Sequence, residues 1–240
     1  MSAALVADPG RPATAVVAAR FAKSELQIWV KRLLRKVGLA RLQDVLPDAW
    51  GIPDSAYATR AIEYAGTLCP AFMIHHCFRS YCFGAILAAR NQLHLDREVF
   101  FVAAMLHDLG LSETYASEPG SFEWVGAKLA YDFSVSQLQT DVAAAAVHNA
   151  IALHTSVGIA GGEVPEIALL HYGTGMDLFG MRLDEIPGSA LKEILDRYPR
   201  SEFRQTFGQC LTHQARIKPD SQIAAGVGIG ICDRILPKLI

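Results

Sequence analysis

The sequence is short of charge: Lys, Arg, Asp and Glu make up 19% of 240 residues, and the formal net charge is -2. That leaves no basic footprint for nucleic acid and argues against long disordered stretches. The five cysteines (Cys69, Cys77, Cys82, Cys210 and Cys232) form an odd set with no CxxC pair. A disulfide framework and a thiolate zinc site are both excluded on that count, and the thiols read as small core residues of a protein in a reducing cytoplasm. No basic segment precedes an apolar stretch at the N-terminus, so no secretory leader is read. Nor does any run reach the length of a bilayer span; the most apolar one, Val142 to Leu153, is interrupted by His148 and Asn149. What is abundant is apolar side chain, at 51% with a mean hydropathy of +0.22. Such a chain fills a sizeable core, with no membrane or nucleic-acid partner expected. A small-molecule substrate and a homodimer fit it.

The apolar residues recur at helical spacing, and no convincing alternating strand or internal repeat interrupts them. The first helix runs from Thr14, as N-cap, to Val37, with Gly38 as its stop. Its segment Trp29 to Lys36 is amphipathic and basic, and its apolar face is expected to pack on the domain. Pro47 to Pro53 breaks the pattern, which divides the chain into an N-terminal tail and helix (1–54) and a main domain (55–240). Further helices start at the Asp54-Ser55 cap and end before Pro70, then span Ala71 to Leu93 and Arg97 to His107 under an Asp96 cap. Others run from Ser121 through Phe133, from Gln137 to His154, from Glu166 to Phe179, from Ser201 to Arg216 and from Gln222 to Leu236. Gly158 to Pro165 is a glycine-rich break. The fold class is all-α.

Chemistry concentrates at His107-Asp108, which ends an apolar helix and precedes Leu109-Gly110. A neutral nitrogen beside an anionic oxygen suits zinc, iron or manganese better than magnesium or calcium. Adjacent helical residues point about 100° apart, so both reach one ion only over the helix end, where Gly110 permits it. Upstream, His75 and His76 stand mid-helix among apolar residues, where a histidine is ordinarily a hydrogen-bonded core residue. Downstream, Asp177 sits in an apolar helical turn and needs a metal or a cation, because an unpaired buried carboxylate costs several kcal/mol.

The ordered set of His, His-Asp and Asp on separate helices resembles the HD superfamily of helical metallohydrolases, and within it the cyanamide-hydratase-like branch. The likeness extends to His76-Cys77-Phe78-Arg79-Ser80-Tyr81, to Phe122-Glu123-Trp124-Val125-Gly126, to Ala146-Val147-His148-Asn149 and to Asp177-Leu178-Phe179-Gly180. Tyr198-Pro199-Arg200 and Lys218-Pro219 also fit, so the resemblance covers roughly Ala71 to Ile223. It implies an HD-domain helical bundle with one divalent transition metal, zinc first and iron or manganese next, held by His76, His107, Asp108 and Asp177. His76 is preferred to His75 because it aligns three residues before Arg79. Two departures limit the transfer. Leu111 follows His-Asp-x-Gly where hydratases carry a hydroxylated residue, and it also stands where phosphohydrolases carry Lys or Glu.

The remaining candidates are open in role. Glu123 can act as general base, orient a ligand imidazole, or merely sit in the first turn of the helix capped by Ser121. His148 can hydrogen-bond a reactive water or pack in the core. These two are the catalytic candidates; Arg79, Ser112 and Lys128 are the substrate-binding ones, Arg79 alternatively holding Asp177. His154 and His171 are ambiguous. The resemblance implies addition of metal-activated water to a small C–N substrate such as cyanamide. The alternatives are hydrolysis of a phosphate ester, which requires cations such as Arg79, Lys128 and Arg182 around the phosphate, and a non-enzymatic helical binding module.

Overall fold

The computed structural model describes residues 4–8, 10–39, 45–156 and 164–239. Among them there are ten α-helices and no strand: α1 Thr14–Lys36, α2 Ala56–Leu68, α3 Ala71–Arg90, α4 Arg97–Leu106, α5 Phe122–Ser136, α6 Asp141–Leu153, α7 Pro165–Phe179, α8 Gly188–Arg197, α9 Phe203–Ile217 and α10 Gln222–Gly228. The class is all-α, as the apolar spacing requires. None of these helices is long and apolar enough to cross a membrane.

Local chemistry sets most of the boundaries. Ser55 caps α2 by accepting from the Ala58 amide, Asp96 caps α4 by accepting from Glu98 and Val99, and Ser121 caps α5 through Trp124. At the end of α1, Gly38 is left-handed (φ +75°), so the Leu39 amide reaches the Leu34 carbonyl and the Gly38 amide that of Arg35. The start of α1 is one residue off expectation, with Ala13 as N-cap and Thr14 already helical.

Three other boundaries shift where the backbone turns left-handed. Gln92 adopts φ 52° and closes α3 at Arg90 rather than Leu93. Leu138 is also left-handed, so α6 waits for the Thr140 cap instead of starting at Gln137. The left-handed Gly230 (φ +78°) follows the glycine-rich end of α10, which stops at Gly228, short of Leu236. Helix α8 was not foreseen behind Pro187-Gly188, although its Leu191 and Ile194 are spaced to one face and both are buried. The expected break at Gly158 to Pro165 falls almost wholly outside the described residues.

Helix α4 is the centre of the fold. Val99 to Leu106 are all buried, and α2, α3, α5, α6 and α7 surround them, which is why this helix is apolar on every side. Helices α3 and α7 approach most closely through glycine: a Cβ on Gly173 would lie 2.2 Å from the Ser80 carbonyl oxygen, and one on Gly84 2.9 Å from that of Leu169. A second apolar cluster, including Met73, Phe122, Phe203, Phe207, Leu211 and Ile223, joins the start of α3 to α9 and α10.

Helix α1 lies against α10 with Val17 and Ile28 buried. Its basic end is pinned to the turn before α8. Arg32 donates to Asp184 (2.8 Å), and Arg35 reaches both Asp184 and Glu185. The expected packing of the apolar face of this segment does not occur: Trp29, Val30, Leu33 and Leu34 are exposed, and Trp29 to Lys36 is held to the rest of the chain through the charges of Arg32 and Arg35.

Candidate metal centre

Three helices deliver the site. His76 stands on α3, fully buried against the rings of Phe203 and Phe207 (centroids 5.0 Å each). His107 and Asp108 follow the last turn of α4, which breaks into a short turn at Leu109–Leu111. Gly110 makes this possible, because a Cβ there would come within 2.1 Å of the Phe122 carbonyl oxygen. Asp177 comes from α7, brought to α3 by the glycine contacts just described.

The imidazoles are oriented by what they donate to. His107 Nδ1 donates to the Ala104 carbonyl (2.8 Å) and His76 Nδ1 to Asp177 Oδ2 (2.6 Å). Each Nε2 therefore keeps its lone pair. These two Nε2 atoms and Asp108 Oδ2 are buried without a hydrogen-bond partner. They converge: Asp108 Oδ2 is 3.1 Å from His107 Nε2 and 3.6 Å from His76 Nε2, and the three lie within 4.8 Å of one another. Electron-pair donors so placed repel unless a cation lies among them. Ligand atoms on a tetrahedral zinc-sized ion stand about 3.3 Å apart, so the spacing fits. A proton on His107 would relieve one contact, not all three.

The charges agree with that reading. Burial works against ionising Asp108, but His107 and then His76 outweigh it and hold the carboxyl below its ordinary range. For His107, burial pulls down while Asp108 pulls up, and the net direction is up. For His76, burial dominates and the ring stays neutral, the form that binds a metal.

Asp177 differs from expectation. Arg79 grips it in two bonds, Nε to Oδ1 (2.7 Å) and Nη2 to Oδ2 (2.8 Å), and Arg200 adds a third to Oδ1 (2.7 Å). With Oδ2 also on His76 Nδ1, both oxygens are committed, on the ring nitrogen away from the cluster. Asp177 therefore orients His76 as a buried carboxylate–histidine pair instead of joining the three orphaned atoms. Burial opposes its ionisation, yet Arg79 and His76 hold its pKa far below the usual carboxylate value.

Other expected residues are placed elsewhere. Arg79 is spent on Asp177 and on the Tyr198 and Pro199 carbonyls, so it has a structural role and is not a substrate contact. His148 bonds Asn149 (3.0 Å), rests edge-on against Tyr131 and does not line the cavity over the cluster. Lys128 is exposed and stacks on Trp124 (4.7 Å). Ser112 is buried and donates to the Leu109 carbonyl (2.7 Å), closing the turn. Glu123 accepts from Thr155 (2.6 Å) and has no bond to a ligand imidazole; burial pushes its pKa up to about 7. His75 tilts against Tyr198, away from the cluster.

Two histidines left ambiguous by the sequence do reach the cavity. His154 donates from Nδ1 to the Ile151 carbonyl (2.6 Å) and meets His107 edge-on at 5.0 Å, while His171 donates to the His154 carbonyl (2.8 Å). Burial, and then His107, lower the His154 pKa to about 3, so it is neutral. Arg200 as a second cation on Asp177 had no signal beyond the Tyr-Pro-Arg likeness.

His76, His107, Asp108, His154, His171 and Asp177 all sit within residues 73–194, which match the HD domain family. The chain belongs to the HD domain family. As an enzyme of the HD metallohydrolase type, it keeps its histidine pair and its Asp108 inside the matched HD segment. The HD protein is also similar to two Saccharomyces cerevisiae proteins, cyanamide hydratase DDI2 and cyanamide hydratase DDI3. Each is 26% identical over 196 residues, covering 79% of this chain and 84% of the relative.

Proposed function

We propose that this protein adds water to a small C–N substrate of the nitrile type, with one divalent transition metal, zinc foremost, held by His76, His107 and Asp108. The observation that carries the reading is the set of three buried, unpartnered donor atoms at the floor of a cavity. The likeness to two cyanamide hydratases supports the choice of reaction. When bound, such an ion supplies Lewis acidity and a nucleophilic water near neutral pH. The chain's own residues do the rest. Asp177 and the Ala104 carbonyl hold the two imidazoles in the metal-binding tautomer. The apolar surroundings limit bulk water, and His154 and His171, both tied through Nδ1, present Nε2 as acceptors.

The phosphate-ester reading asks for cations around the phosphate. Arg79 is committed to Asp177 and Arg182 to Glu185 (2.7 Å). Among the described lining residues Arg20 is the one Lys or Arg, and it is exposed. We further propose that residues 55–240 carry the HD domain with 1–54 as an accessory segment, and that the protein is cytoplasmic, with all five cysteines free. Elemental analysis followed by parallel assays of cyanamide, simple nitriles and small phosphate esters tests the function. Amide or urea formation is expected; phosphate release alone overturns it.

A further inference from the structure

The cavity over the metal cluster has two unlike parts. Its floor holds His76, His107 and Asp108, inside the segment that matches the HD family. The apolar wall that lines the rest of the cavity comes mainly from outside that segment, from Val17 on α1, Leu211 on α9, Ile223 on α10, and Ile229 and Ile231 just beyond it, with Leu178 and Phe179 from within the segment. Every one of these side chains presents carbon alone.

Apart from the Nε2 acceptors of His154 and His171 near the floor, the polar side chains outside the floor are already bonded within the protein. Thr155 donates to Glu123, Thr174 donates to the Leu170 carbonyl, and the Gln222 amide donates to Thr155. Arg20 is exposed, so its stem lines the rim while its charge remains in water. The volume is about 90 Å³, against the ~10–15 Å³ that one water needs. Cyanamide has only three heavy atoms; on the floor it would leave this wall unfilled.

Resting on the hydratase reading above, we infer that the substrate is a neutral nitrile carrying an apolar alkyl or aryl group. The nitrile carbon faces the His76, His107 and Asp108 floor, and the apolar group lies against the wall of α9, α10 and α1. The reaction is a hydration: water adds across the C≡N bond, its oxygen to carbon and its hydrogens to nitrogen, to give the primary amide with no oxidant or leaving group. Most of the side chains that would set the specificity for the organic group thus come from the part of the chain that the family match does not include.

The test is a homologous series of acetonitrile, butyronitrile and hexanenitrile on the full-length protein, with binding read by calorimetry and amide formation by chromatography. Each methylene that enters the wall adds ~0.8 kcal/mol, so Kd should fall about fourfold per methylene until the cavity is full. Ile229→Trp, which fills space along this wall, should weaken hexanenitrile most and flatten the series. A Kd that does not change with chain length, alongside hydration of cyanamide, overturns the inference and leaves the reaction standing. Binding that tightens with chain length, but with no amide from any nitrile, overturns the hydratase reading and this substrate class with it. Chain-length-dependent binding together with amide formation supports both.

Discussion

At the scale of single residues, the three orphaned atoms make the sharpest forecast. His76→Ala, His107→Ala and Asp108→Ala each remove one donor from a set of three and should each abolish tight metal binding, whereas His75→Ala, whose ring faces Tyr198, should retain it. Elemental analysis of the four purified variants decides this, and full occupancy in His107→Ala would end the assignment. Asp177 acts differently. Asp177→Asn keeps the size but loses the charge that holds Arg79, Arg200 and His76. Loss of an orienting partner lowers metal affinity about 10–100-fold, and an uncompensated buried arginine costs about 3–5 kcal/mol. A weaker but measurable metal affinity with a lowered Tm is expected; a loss as complete as in His107→Ala would put Asp177 on the ion itself. Glu123 carries a pH signature. Burial raises its folded pKa to about 7, against an ordinary value of 4.5. The folded protein thus holds a proton that the unfolded chain releases, and stability should fall as pH rises from about 4.5 to about 7. Glu123→Gln should remove that part of the decline in a Tm-against-pH profile, and parallel profiles for the two proteins would disprove it.

At the scale of helices, the metal site depends on how closely α3 and α7 can approach. The Gly173 Cβ position lies 2.2 Å from a backbone oxygen of α3, an atom that cannot rotate away. Gly173→Ala must therefore push the helices apart, at a cost of about 1–3 kcal/mol or more. It should also loosen the His76–Asp177 bond, giving a lower Tm and weaker metal binding together; a normal Tm would show that the contact yields. This helix pair also marks what could be read from sequence. His76, His107 and Asp108 were legible because an apolar helix ending in His-Asp and a matching upstream histidine are local features. Caps such as Ser55, Asp96 and Ser121 were legible for the same reason. By contrast, the commitment of Asp177 to two arginines, the arrival of His154 and the removal of His148 depend on how helices rotate against one another. An isolated pattern of spacings carries no such rotation. Left-handed Gln92 and Leu138 were equally hidden, since neither residue type signals that conformation.

Across the whole molecule, α1 joins the least family-like part of the chain to the cavity. Val17 lines the cavity near one end of the helix, and Arg32 and Arg35 anchor the other end to Asp184 and Glu185. Glu185 is nearly buried and is shared with Arg182, whereas Asp184 is partly exposed. The Asp184 contribution is accordingly modest, about 0.2–1 kcal/mol for each partly solvated pair. Asp184→Lys replaces two attractions with two repulsions, enough to raise the open population of α1 several-fold without touching the His76, His107 and Asp108 floor. Trypsin should then cut the basic stretch between Lys31 and Lys36 several-fold faster, while metal content stays at the wild-type level. The effect should shrink at high salt, because the contact is electrostatic and reaches water. Adding Arg35→Glu to Asp184→Lys restores an opposite-charge pair and should recover part of the protection. If the single variant is cut at the wild-type rate, the Asp184 ion pairs do not hold α1 down, and its docking rests on other contacts such as Arg35 with Glu185 and the burial of Val17 and Ile28.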